Sequence, residues 1–250
     1  MKDFTLNAFE SLLKAFLDKG YQFYPFEEIM GQPKQGKIAI IRHDVDDKPY
    51  NSLATAQIEQ RLGIKGTYYF RVVPQSNVPA VIKAIADLGH EIGYHYEDMA
   101  LCHGDYNAAI AHFEKQLTYF KTFYPVKTIC MHGSPLSKWD NKLLWTTFNY
   151  RNYGIIGEPY FDIDWKAFDY LTDTGRRWDG EKVSVRDKVQ KTNHQQTFHS
   201  TMDVIAGIGT LSEKVMITTH PQRWTNDTMA WYKELIGQNI KNSIKRIISK

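Results

Sequence analysis

Asp44 and Asp46 sit two residues apart where an apolar run, Ile38-Ala39-Ile40-Ile41, passes through Arg42-His43 into Asp44-Val45-Asp46-Asp47. In an extended chain residues i and i+2 point the same way, so the two carboxylates face one pocket at about 7 Å spacing. That arrangement suits one metal ligand and one general base; the plainer reading is an acidic surface loop after a strand. Polar groups follow other short apolar runs as well. His90, His95 and Glu97 accompany one, His132 closes another, and His220-Pro221 follows Val215-Met216-Ile217-Thr218-Thr219. Taken singly, each histidine is more simply a core residue with its hydrogen bonds satisfied. Together they are ligand chemistry for zinc or another divalent transition metal, with the remaining carboxylates and imidazoles free to act as base and acid.

These groups can share one pocket only if their strands run parallel, because parallel α/β sheets and barrels place their chemistry at the C-terminal ends of the strands. The pattern supports that. Phe9, Leu12, Leu13, Phe16 and Leu17 recur at helical spacing, with Gly20 as a stop. The run from Ile38 to Val45 has the Val/Ile content of a strand buried on both faces. The chain then alternates. Helices are expected over Ser52–Leu62, Val78–Leu88 and Tyr106–Phe123, and strands over Thr67–Val72, His90–His95 and Val126–Met131. Further strands are expected at Tyr153–Ile156, Phe168–Leu171 and Lys214–Thr218, and a closing helix from Thr228. Asp173 to Thr201 is polar with weak periodicity and reads as a long loop. The alternation implies one parallel α/β domain, barrel or open sheet.

Composition narrows the classes. The 250 residues carry a net charge of only +3, so no bulk attraction to nucleic acid or to a membrane is implied. Two cysteines, Cys102 and Cys130, make no disulfide framework. No leader pattern and no apolar run of membrane-spanning length is seen, so a cytoplasmic protein without an integral membrane segment is expected.

The runs Ile40-Ile41-Arg42-His43-Asp44-Val45-Asp46, Gly89-His90-Glu91-Ile92-Gly93-Tyr94-His95 and Thr219-His220-Pro221 resemble the polysaccharide deacetylase family with NodB homology, over residues 38 to 222. The resemblance implies a distorted (β/α) barrel of about seven parallel strands, a single domain over 1–250 with residues 1–36 as an N-terminal helical extension. It implies metal-dependent removal of an N- or O-linked acetyl group from a sugar or sugar conjugate, with a divalent metal, zinc first. Asp44 would be the catalytic base and Asp46 a metal ligand, although the family's pair is usually adjacent and the spaced form leaves an exchange of roles open. His95 would be a ligand and His90 a packing residue. The family's second histidine falls at Met99, which cannot replace an imidazole on a hard ion. Glu97, Asp98, His103, His132 and His43 are candidates for a third ligand, with Glu97 preferred because it points with His95 along an extended chain. His132 stands where the family has a base-orienting Arg, and His220 matches its general acid.

Arg176 and Trp178, within a polar and aromatic stretch from Tyr170 to Gly180, and Arg223 and Trp224 beside His220 are candidate substrate-binding residues. Arg can clamp an anion and Trp can stack on a sugar, against the reading of a solvated loop with an anchoring Trp. Lys241, Lys245, Arg246 and Lys250 read as the solvated face of the last helix, with an anionic lipid surface as the rarer alternative. Two other functions compete with a deacetylase: a hydrolase of another C–N bond on the same fold, and a non-catalytic carbohydrate-binding relative.

Overall fold

Every residue of the strand Ile38–Val45 is buried, as a parallel strand covered on both faces requires. The computed structural model describes residues 2–178, 189 and 197–248. Its strands are β1 (Gln22–Phe23), β2 (Ile38–Val45), β3 (Thr67–Phe70), β4 (Glu91–Tyr96), β5 (Ile129–Met131), β6 (Asp169–Thr172) and β7 (Lys214–Thr219). Its helices are α1 (Leu6–Asp18), α2 (Phe26–Gly31), α3 (Pro49–Arg61), α4 (Pro79–Asp87), α5 (Asp98–Leu101), α6 (Tyr106–Phe120), α7 (Leu144–Thr147), α8 (Pro159–Asp162), α9 (Thr201–Gly207) and α10 (Thr228–Ile248). The sheet order is β5-β4-β3-β2-β7-β6, all parallel, with β1 beside the first residues of β2. The sheet curls into a half-barrel whose edges are β5 and β6, a distorted (β/α) barrel in a single α/β domain.

The period-two alternation of β2 sorts its side chains. Ala39 and Ile41, with Val215 and Ile217 of β7, pack outward against Phe9, Leu12, Leu13 and Phe16 of α1. Ile40, Tyr69, Cys130 and Met216 point inward and fill the barrel together with Phe26, Ile163, Trp165 and Phe168. Arg42 and Asp44 share that inward face, directly above Ile40.

Two expectations change. Tyr153–Ile156 is no strand: a 3₁₀ turn over Tyr150–Tyr153 ends at Gly154, whose φ of 78° suits glycine, and only a bridge between Thr128 and Gly157 follows. The seventh strand is β1 instead. Residues 1–36 are accordingly more than an extension, because β1 joins the sheet and α1 supplies the apolar cover that the outer face of β2 and β7 needs. No described helix is long and apolar enough to cross a membrane.

The end of the barrel opposite the strand C-termini is held by Glu91, at the start of β4. Its carboxylate accepts hydrogen bonds from Thr67 Oγ1 at 2.7 Å, from the Glu27 N–H at 2.9 Å and from Thr128 Oγ1. Thr67 Oγ1 in turn accepts from the Phe26 N–H at 2.8 Å. A carboxylate thus meets the unsatisfied N–H groups that open α2 and fixes this helix beneath β3 and β4. Burial, reinforced by Glu27, pushes the Glu91 carboxyl up to about 7. Glu91→Ala orphans buried donors and is expected to lower unfolding free energy by about 2–4 kcal/mol in urea denaturation at neutral pH. A loss below about 0.5 kcal/mol would contradict this role.

Candidate metal centre and acid–base groups

Six of the seven strands deliver a polar side chain to the same rim. Strand β2 carries Asp44 and ends just before Asp46, β3 is followed by Arg71, β4 carries His95 and is followed by Glu97. His132 follows β5, Asp173 follows β6 and His220 follows β7. Asp46 lies at their centre. Its Oδ1 is 3.5 Å from His95 Nε2 and 3.4 Å from His132 Nε2, and its Oδ2 is 3.9 Å from His220 Nε2.

Four carboxylates crowd this rim, and three of them have an arginine. Asp44 takes a bidentate pair from Arg42 at 2.8 and 2.6 Å. Glu97 takes one from Arg71 at 2.7 and 2.8 Å. Asp173 accepts from Arg223 Nη1 at 2.5 Å. Burial opposes ionisation of Asp44, but Arg42 and then His95 outweigh it and bring the carboxyl down to about 2. Glu97 is likewise held at about 2 against its burial, by His132 and Arg71. Among the described residues Asp46 has no arginine on its carboxylate; Arg71 reaches only its backbone carbonyl, at 3.3 Å. Burial raises the Asp46 carboxyl, yet His132, His95 and His220 hold it well below the ordinary range.

The ring tautomers say what this centre lacks. His95 Nδ1 lies 2.9 Å from the Cys130 carbonyl, which only accepts, so Nδ1 carries the proton. His132 Nδ1 lies 3.0 Å from Glu97 Oε2 and donates to it in the same way. In each ring Nε2 is thus the nitrogen turned toward Asp46 Oδ1, a buried oxygen with no hydrogen-bond partner among the described residues, and a ring without a second proton presents a lone pair there. Two lone pairs and an anion converge, which needs a proton or a cation between them. In the protein alone a proton meets part of that need. Burial lowers the His95 pKa, but Asp44 and Asp46 outweigh it and raise it. A divalent cation meets the need completely, and Asp46, His95 and His132 can hold one with ligand atoms all within 4.8 Å of one another.

A second group, Asp44, His95 and Cys130, satisfies the same distance criterion. There the Arg42 guanidinium already neutralises Asp44, so a cation would be bound against a buried positive charge. The Asp46 group suits an ion better.

Glu97, expected as a ligand from chain direction, lies outside both groups. Its oxygens are taken by Arg71 and His132, and it orients a ligand from behind. His132 moves the other way: it joins the metal group, and the residue orienting Asp44 is Arg42. His220 Nδ1 lies 2.6 Å from Asp173 Oδ1, and its own N–H donates to Asp173 Oδ2 at 3.0 Å. This fixes the ring with Nε2 toward the centre. His90 is a packing residue as expected, accepting from the Gly66 N–H at 3.0 Å on Nδ1. His43 faces away from the rim, stacked on Tyr68 and 2.6 Å from Glu59.

The four candidate substrate-binding residues are all buried against other parts of the chain. Trp224 is fully buried against Phe4 and Phe9 and donates to Asp173 Oδ2 at 2.8 Å. Arg223 is buried on Asp173. Trp178 is buried and donates to Thr201 at 3.0 Å, and Arg176 stacks over Trp231 at 4.5 Å. Most of the polar stretch around Asp173 to Thr201 lies outside the described residues.

Reasoning from sequence missed Arg42, Arg71 and Asp173. Arg42 had a signal, since residues 42, 44 and 46 share parity on one strand. Asp173 had a weaker one, an acid just past a strand. Arg71 had none.

No family model matches the chain, and no curated protein matches it.

Elemental analysis after dialysis against a zinc salt is expected to find near-stoichiometric metal in the wild type and none in Asp46→Ala, His95→Ala or His132→Ala. Glu97→Gln should keep the site but weaken affinity by about 10–100-fold. Full loss in Glu97→Gln with retention in His132→Ala would restore Glu97 as the ligand. Because the Glu97 carboxyl is depressed, its stabilisation is complete above its unfolded pKa and is lost as pH falls. In metal-free protein the stability gap between wild type and Glu97→Gln should therefore shrink from about pH 5 to about pH 2. A gap that widens on acidification would contradict the Arg71 and His132 pairing.

Proposed function

We propose that this protein is a metal-dependent hydrolase that removes an N- or O-linked acetyl group from a sugar or sugar conjugate. The observation that carries the reading is the division of labour among the rim carboxylates. Asp44 is ionised and locked by Arg42. Asp46 meets three imidazoles and the Gln222 amide, which donates to its Oδ2 at 3.4 Å. His220 stands on the far side of Asp46, braced by Asp173. A binding module has no need for base, ligand group and acid together. The resemblance to the NodB-type deacetylases assigns the same functions to Asp44, Asp46, His95 and His220.

Asp46, His95 and His132 would hold the ion, and two imidazoles with one carboxylate suit zinc or another divalent transition metal. When bound, such an ion supplies Lewis-acid polarisation of the acyl oxygen and eases ionisation of water. The chain's own groups move the protons. Water attacks the acetyl carbon while the Asp44 carboxylate takes its proton. Arg42 keeps that carboxylate from rotating and keeps it ionised. His220 carries a proton on Nε2 and gives it to the departing amine or alkoxide as the C–N or C–O bond breaks, releasing acetate. Asp173 holds the His220 ring on Nδ1, so that Nε2 faces the reacting bond.

Zinc-loaded protein should release acetate from N- or O-acetylated amino-sugar oligomers, followed by proton NMR of free acetate. Asp44→Asn should lower kcat by about 10²–10⁴-fold with metal content unchanged, and His220→Ala should do the same. Turnover that survives Asp44→Asn would remove it as the base. An amine or ammonia released without acetate would move the activity to another C–N bond. No hydrolysis across the panel by fully loaded protein would overturn the reading.

A further inference from the structure

Helix α10 has its amphipathic pattern inside out. Met229, Tyr232, Ile236 and Ile240 follow helical spacing and form one stripe, and they are 75%, 52%, 60% and 56% exposed. The opposite face buries two amides, Gln238 and Asn242, and half-buries Trp231, Glu234 and Leu235. Gln238 donates to Asn242 at 2.8 Å, and Asn242 donates to the Gly175 carbonyl at 2.8 Å. Glu234 pairs with Lys48 at 3.0 Å. A helix that anchors itself through amides and an ion pair while showing isoleucines to water presents an apolar face that no described residue of the chain covers.

The charges around the stripe say what that is. Lys233 is exposed on the side of the stripe, and Lys241 is exposed farther round the helix, next to Glu234. Lys2 reaches it from the N-terminal segment, 3.9 Å from the Trp231 ring centre and 4.7 Å from that of Tyr232. The one acid among the described side chains of α10 is Glu234, already paired with Lys48. Two copies packed stripe to stripe would set lysine against lysine with no acid between them. An apolar stripe edged with cations complements an anionic lipid surface instead.

We propose that α10 docks the protein on an anionic bilayer surface, its stripe entering the interface and Lys2, Lys233 and Lys241 meeting lipid phosphates. This does not depend on the hydrolase reading. It bears on it through position, because α10 is fastened to the loops behind the rim. Lys48 is two residues past Asp46, Gly175 two past Asp173, and Pro221–Arg223 packs on α10 directly after His220. A docked helix therefore sets the rim beside the lipid surface, where a membrane-held conjugate would be presented.

Flotation of the full chain with vesicles tests this. The protein should float with phosphatidylcholine vesicles containing phosphatidylglycerol, not with phosphatidylcholine alone, and should be released by salt. Lys233→Ala with Lys241→Ala should weaken partitioning by about fivefold per lysine. Ile236→Glu with Ile240→Glu should abolish it while far-UV circular dichroism and metal content stay unchanged. Absence of binding to anionic vesicles, or equal binding by the isoleucine and lysine variants, overturns the proposal. So does a concentration-dependent dimer in sedimentation velocity that Ile236→Glu dissolves, which would assign the stripe to a second copy.

Discussion

The rim of this barrel is governed by the way negative charge is neutralised. Asp44, Asp46, Glu97 and Asp173 converge where little water can reach them, and buried carboxylates persist only when paired. Arg42, Arg71 and Arg223 take three of them. The fourth, Asp46, is left to imidazoles whose remaining nitrogens are already committed to the Cys130 carbonyl and to Glu97. The shortage of positive charge is thus confined to one oxygen, and that is the physical case for a cation there.

The same allocation separates two carboxylates that the sequence presents as near equivalents. Asp44 and Asp46 stand on one strand with the same parity, yet Arg42, two residues earlier on that parity, reaches only the nearer one. One carboxylate becomes a fixed anion suited to accept a proton, and the other a ligand. On the opposite side Asp173 gathers His220, Arg223 and Trp224, so residues that look like a substrate clamp are the mounting of a single imidazole. The architecture makes this possible because the six strands β2 to β7 run parallel and end on one rim.

Much of this was legible in the chain. The alternation of strands and helices and the placing of Asp44, Asp46, His95, His132 and His220 at one rim follow from apolar runs that end in polar groups; those runs fit barrel and open sheet alike, and the barrel was what the family resemblance implied. What could not be read were relations across strands. His132 is 33 residues past Met99, and nothing local says that it faces Asp46 while Glu97 turns to Arg71. Arg and Trp near a site look alike in sequence whether they face ligand or core, and Trp224 proved to be core because Phe4 and Phe9 of the N-terminal segment cover it. The strand Gln22–Phe23 is too short to carry a pattern, and Tyr153–Ile156 had the composition of a strand but begins in a 3₁₀ turn and reaches its neighbour only by Ile156 and a single bridge at Gly157.

The claim that charge allocation selects Asp46, His95 and His132 is tested most directly by X-ray absorption at the zinc edge on protein loaded with one equivalent. The account predicts a first shell of nitrogen and oxygen at about 2.0–2.1 Å, with scattering from two imidazoles and no sulfur. A sulfur neighbour at about 2.3 Å would contradict it, because the ion would then sit with Asp44, His95 and Cys130, against the Arg42 charge.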